Sequence, residues 1–172
     1  IINLSIPFGE LKWAEEFIHK YSPMLNPADK ENMLNFSLGF LSFGKKEFGR
    51  SMEYLSKVKF GLMTFKEDVS SLMLFNLYEL ELYEQALALV NTYHRTFKRT
   101  PSMHEALYKD YKNTLECYPL LLNAKLNNDL SGIRYIEELS KRSVNLTVKN
   151  WFAGKIIELK KNAAKYNKTS AY

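Results

Sequence analysis

The side chains that could do chemistry are few: three histidines, the single cysteine Cys117, and nineteen carboxylates. Zinc-assisted hydrolysis would need two imidazoles on one helix face, as His-Glu-x-x-His supplies them, with the glutamate as base. Neither "HRTFKR" nor "HEALYKD" has that spacing. His104 and Glu105 are adjacent, so on a helix they point about 100° apart, and His104 reads as an exposed first-turn residue. Cys117 stands between Glu116 and Tyr118 in an amphipathic stretch, where a lone cysteine is a small core residue rather than a nucleophile. A single cysteine also excludes an internal disulfide and a multi-cysteine zinc site. The glycines are dispersed and form no phosphate-cradling loop of Walker or dinucleotide type. The chain is therefore expected to be no enzyme, with no catalytic residue, no metal and no cofactor.

The elements that would carry binding chemistry instead are helices. Asn26 is a helix cap with Pro27 at the first helical position, where a missing N–H costs nothing. "TFKE" (Thr64 to Glu67) and "SMHE" (Ser102 to Glu105) fit the capping box, in which hydroxyl and carboxyl each satisfy an orphan backbone donor. With apolar periodicity these starts predict about eight helices, near 8–22, 27–43, 47–58, 65–80, 83–98, 102–127, 130–142 and 146–163. The connections are short, which favours antiparallel neighbours. Pro119 should kink or break the sixth helix, because it removes a hydrogen bond and crowds the Leu115 carbonyl. Residues 164–172 read as a frayed tail.

Bulk properties agree with an all-α domain. At 172 residues with 46% apolar and 14% aromatic content the chain can bury a substantial core, expected here as one domain over 1–172. Its longest apolar runs, such as "YPLLL", fall far short of the roughly 20 residues of a membrane span. No secretory leader is visible, so a cytoplasmic setting is expected, and the missing initiator Met suggests part of a longer chain. Four Asn-x-Ser/Thr triplets, beginning at Asn3, Asn35, Asn145 and Asn167, then reflect composition. Charge is uneven: residues 1–90 hold nine Lys/Arg against twelve Asp/Glu, and residues 91–172 hold fifteen against seven. The basic half could attract an acidic partner or a nucleic-acid backbone. Yet Arg95, Lys98 and Arg99 fall at one predicted helix end and Lys141 and Arg142 at another, where cations complement the helix dipole.

An internal repeat organises the first half. "LGFLSFGKKEFGRSMEYLSKV" and "LFNLYELELYEQALALVNTY" share an order of residue types displaced by 35: Phe48 matches Tyr83, Ser51 matches Ala86, Met52 matches Leu87, Leu55 matches Val90 and Val58 matches Tyr93. Small residues at Gly39 and Ser51 suit helices that cross closely. The pattern resembles the tetratricopeptide repeat, a helix-turn-helix unit of about 34 residues. Leu38 and Gly39 match its Leu-Gly pair, Phe48 its turn aromatic, and Ser51, Leu55 and Val58 its second helix. In the second copy Met73 and Leu74 stand where Leu-Gly is expected. Leu11, Ala14, Ile18 and Tyr21 resemble the second helix of an upstream partial copy. Repeats are thus expected at 9–25 (partial), 27–58 and 65–98, followed by divergent helices over 102–163. That closing part, with "VKNWFAGKIIEL", resembles the C-terminal end of uncharacterised bacterial proteins built on such repeats.

The resemblance implies a right-handed α-solenoid of stacked antiparallel helix hairpins with a divergent helical C-terminal cap. It also implies a noncatalytic protein-binding scaffold. Met33, Phe36, Phe40 and Phe43 would line its concave groove with Leu72, Phe75 and Tyr78, and Glu79 would stand at the rim. Partner anchors there should stay partly exposed in the free chain. The competing expectation is that this apolar stripe is core, or that the helix bearing Pro119 fills the concavity. Tyr108, Tyr111, Leu115 and Tyr118, beside Lys109 and Lys112, form a stripe that could stack on single-stranded bases or pack on a neighbouring hairpin. A nucleic-acid-binding module using the basic half is the alternative function, separable from the first by its steep salt dependence.

Overall fold

The computed structural model describes residues 5–59, 66–96 and 105–169; the hydroxyl ends of both expected capping boxes, Thr64 and Ser102, lie outside them, as does His104. Among the described residues there are eight α-helices and no strand. They are α1 (Leu11–Tyr21), α2 (Pro27–Gly44), α3 (Phe48–Ser56), α4 (Lys66–Glu79), α5 (Tyr83–Thr96), α6 (Glu105–Asn127), α7 (Ile133–Lys141) and α8 (Leu146–Thr169). A single 3₁₀ turn, Ser22–Met24, follows α1. The chain forms two compact units, Ile1–Ala86 and Leu87–Tyr172.

In the first unit α2 begins as its sequence dictates: the Asn26 side chain accepts the Ala28 N–H at 3.1 Å, and Pro27 occupies the first turn. The α2–α3 hairpin is closed by a crossing that admits no bulk. A Cβ on Gly39 would lie 2.6 Å from Leu55 Cδ2, and the Ser51 hydroxyl donates to the Gly39 carbonyl at 2.8 Å. The small residues thus let the backbone of α2 accept a side-chain hydrogen bond from α3. Asn76 of α4 joins them, its Nδ2 donating to Ser51 Oγ at 2.8 Å and to the Leu72 carbonyl at 3.0 Å. All three residues are buried.

The 35-residue displacement recurs in the hydrogen bonds of the turns. After α2, Lys46 N–H donates to Phe43 O at 2.9 Å and Glu47 N–H to Ser42 O at 2.9 Å; after α4, Glu81 N–H donates to Tyr78 O at 3.1 Å and Leu82 N–H to Leu77 O at 2.9 Å. Each pair is a Schellman closure, with Lys46 (φ 61°) and Glu81 (φ 59°) in the left-handed region. An aromatic clasp accompanies each: ring centroids of Phe43 and Phe48 are 5.7 Å apart, those of Tyr78 and Tyr83 5.9 Å. The two turns are one local structure written twice.

The second unit packs α6, α7 and α8 against one another in every pairing. Its polar node is the buried Asp110, whose Oδ2 accepts the Ser143 hydroxyl at 2.7 Å and the Asn145 N–H at 3.0 Å. The carboxylate of α6 therefore holds the α7–α8 connection, while Asn145 Oδ1 accepts the N–H groups of Thr147 and Val148 to start α8. Tyr118 stacks on Trp151 with centroids 6.2 Å apart and planes 8° from parallel. Pro119 does not break α6 in two, for the helix runs through it between the buried Tyr118 and Leu121. Burial of those neighbours outweighs one missing hydrogen bond. Helix α8 continues through Thr169, beyond residue 163 where periodicity ends it.

Candidate partner-binding site

The eight residues assigned to a groove divide into two sets. Phe36, Phe40 and Phe43 of α2 and Leu72, Phe75 and Tyr78 of α4 are buried, with Phe40 only 2% and Phe43 only 8% exposed. Met33 and Glu79 are half-buried. The expectation that the rings stay partly exposed in the free chain is thereby corrected. Its physical reason is visible in the helices themselves: from Val69 to Leu72 and from Leu74 to Tyr78 every residue of α4 is buried, and α2 is buried without a break from Gly39 to Phe43. A helix segment covered on every side, its polar Ser42, Ser70, Ser71 and Asn76 included, has no face left for solvent. The rings pack on each other, Phe36 on Phe40 at 4.6 Å and Phe43 on Phe75 at 6.4 Å between centroids.

The stripe on α6 behaves likewise. Tyr111, Leu115 and Tyr118 are buried and Tyr108 is half-buried; the Tyr111 ring meets Tyr93 and the Tyr118 ring meets Trp151, so these two rings are not open for bases to stack on. Cys117 is buried too, and burial pushes its thiol up from the ordinary value of 9.0 to about 12, with the Glu116 charge adding to the shift. A thiol so protonated is no nucleophile at neutral pH. The cavity beside it, between Asp110, Thr114, Ser140 and Ser143, measures about 10 Å³, room for about one water molecule. Among the described residues no group of three or more His, Cys, Asp or Glu side chains could hold a metal ion. No helix there is long and apolar enough to cross a membrane.

Sequence reasoning missed three features. Asn76 is a polar residue inside the apolar run "LMLFNLY", a signal that something must satisfy it. Asp110 carries no such mark, because an isolated aspartate in "YKDYK" reads as solvent-facing. On α1 the Ala14–Ile18 face is buried, whereas Trp13, Phe17 and Tyr21 form a ladder with centroids 5.0 and 4.5 Å apart, Trp13 being 44% and Tyr21 39% exposed. Their four-residue steps are legible in the sequence, where Tyr21 stands with Leu11, Ala14 and Ile18 in the resemblance to a second repeat helix; of these four, Ala14 and Ile18 are the buried ones.

No protein-family model, curated protein or solved structure matches the chain.

Proposed function

We propose that the chain is a noncatalytic helical-repeat module of tetratricopeptide-like, solenoid design that binds a protein or peptide segment on the α2–α4 side of its N-terminal unit. The observation that carries this reading is the recurrence, 35 residues apart, of one helix-ending turn with one aromatic clasp. Repeated hairpins stack into extended surfaces suited to holding another chain. Within the eight-residue set, the half-buried Met33 and Glu79 are the positions a partner meets first, and the six buried residues keep the two helices together beneath that contact. No specific observation favours the nucleic-acid alternative. In the basic half Lys141 and Lys160 lie 3.4 and 2.9 Å from Glu137, and Lys125 and Lys155 lie 3.6 and 3.1 Å from Glu158, so these cations meet carboxylates of their own unit.

The test is affinity capture on the immobilised chain, with Met33→Glu combined with Glu79→Lys as the surface variant. The reading expects a protein partner retained by the wild type, lost by the variant at an unchanged melting temperature, and insensitive to salt. A partner held equally by both moves the site elsewhere. Capture of nucleic acid that falls steeply with salt replaces the reading with the alternative.

A further inference from the structure

Asn32 stands one residue before Met33 on α2, half-buried, and its carboxamide holds a segment of the chain 27 residues away. Its Oδ1 accepts the Lys59 N–H at 2.7 Å, and its Nδ2 donates to the Lys59 carbonyl at 2.8 Å. Both bonds fall on one residue. The N–H and C=O of a single residue face the same side in extended chain, where a neighbouring antiparallel strand exchanges the same two bonds with them. The Asn32 side chain thus stands in for a strand's peptide group.

The contact reads main chain alone. Lys59 is exposed and neither bond involves its side chain, so any residue with an N–H could sit there and proline could not. The chain is anchored just before it by Val58, 6% exposed, whose N–H donates to Leu55 O at 3.1 Å. Releasing Lys59 therefore breaks two hydrogen bonds at the surface without requiring that Val58 or α3 move. Such bonds open readily and are replaced by bonds to water. An extended segment of another chain would offer Asn32 the same pair.

We propose that Asn32 is the main-chain seat of the partner site, taking a peptide in extended form, and that residues 57–59 are an autoinhibitory strap that fills the seat until a partner displaces it. This rests on the peptide-binding reading above and adds to it the partner's conformation and its competitor. A helical partner bonds its N–H and C=O groups within itself and leaves the carboxamide unmatched. A strap seated about nine-tenths of the time lowers a partner's apparent affinity about tenfold.

The probe is a displayed library of random linear peptides, whose selected binders are followed by amide hydrogen exchange at Lys59 of the 172-residue chain. In the wild type, bound peptide should remove the protection of the Lys59 N–H, because the strap has left its seat. A tether that is merely structural stays protected. Lys59→Pro cannot form the pair and should bind the peptides about tenfold tighter than the wild type, whereas Asn32→Ala should weaken them in either background. A structural role predicts weaker binding in both variants. Should Lys59→Pro fail to fold, the exchange measurement on the wild type decides alone. Peptides that bind while the Lys59 amide stays protected, or that hold Asn32→Ala as tightly as the wild type, overturn the inference; if their binding still depends on Met33 and Glu79, the scaffold reading stands. A library from which no form of the chain selects a peptide overturns both.

Discussion

Ser51 is held from two sides: its hydroxyl donates to Gly39 O and accepts from Asn76 Nδ2, both at 2.8 Å. Serine satisfies both demands in the space the crossing leaves. Ser51→Leu should therefore lower stability by about 1–3 kcal/mol through overpacking, read as a lower denaturation midpoint, and an unchanged midpoint would place Ser51 outside the crossing. The smallness of Ser51 was legible from the repeat, whereas its bond to Asn76 was not, because residues 25 apart reveal no pairing in one sequence. At Cys117 the consequence is a pH dependence. The folded thiol keeps its proton to about 12 while the unfolded thiol releases it near 9.0. The stability tied to the buried neutral thiol is thus fully present below pH 9 and is lost as pH rises from about 9 to about 12. Denaturation midpoints measured up that range should fall, and Cys117→Ala should flatten the fall; a wild-type slope in the variant would assign it to other groups. The same burial predicts that thiol reagents label Cys117 only after unfolding.

At the scale of elements, the hairpin turns show what spacing can and cannot encode. The offset of 35 and the paired aromatics located both turns and, with the Asn26 cap, the helix starts around them. The left-handed residues were hidden, since Lys46 and Glu81 are neither glycine nor asparagine. An L side chain there is strained, and closure by two backbone hydrogen bonds with burial of Phe43 and Tyr78 offsets the strain. Lys46→Gly should accordingly stabilise the chain by up to about 1 kcal/mol, seen as a higher denaturant midpoint, whereas Lys46→Val should lower it. Equal midpoints for the two variants would mean that the turn does not keep its left-handed residue in solution. Pro119 shows the opposite case, for the break that its local signal allows does not occur: burial of Tyr118, Leu121 and Leu122 accompanies the passage of α6 through it.

For the whole molecule, the all-α class and the approximate bounds of eight helices could be read from composition and periodicity, because amphipathic spacing and short connections are local properties. The exposure of the aromatic face could not. A stripe of phenylalanines at helical spacing looks the same whether water, a ligand or another helix covers it, and only the environment of α2 and α4 distinguishes the cases. The central claim is that Phe40 and Phe43, which look like groove anchors, belong to the core that holds the hairpins together. The measurement that tests it most directly compares Phe40→Ala combined with Phe43→Ser against Leu55→Ala by chemical denaturation. The control should cost about 2–5 kcal/mol, and the account predicts that the phenylalanine pair costs at least as much. A pair variant that keeps the wild-type midpoint while losing a captured partner would contradict it and return those rings to the binding site.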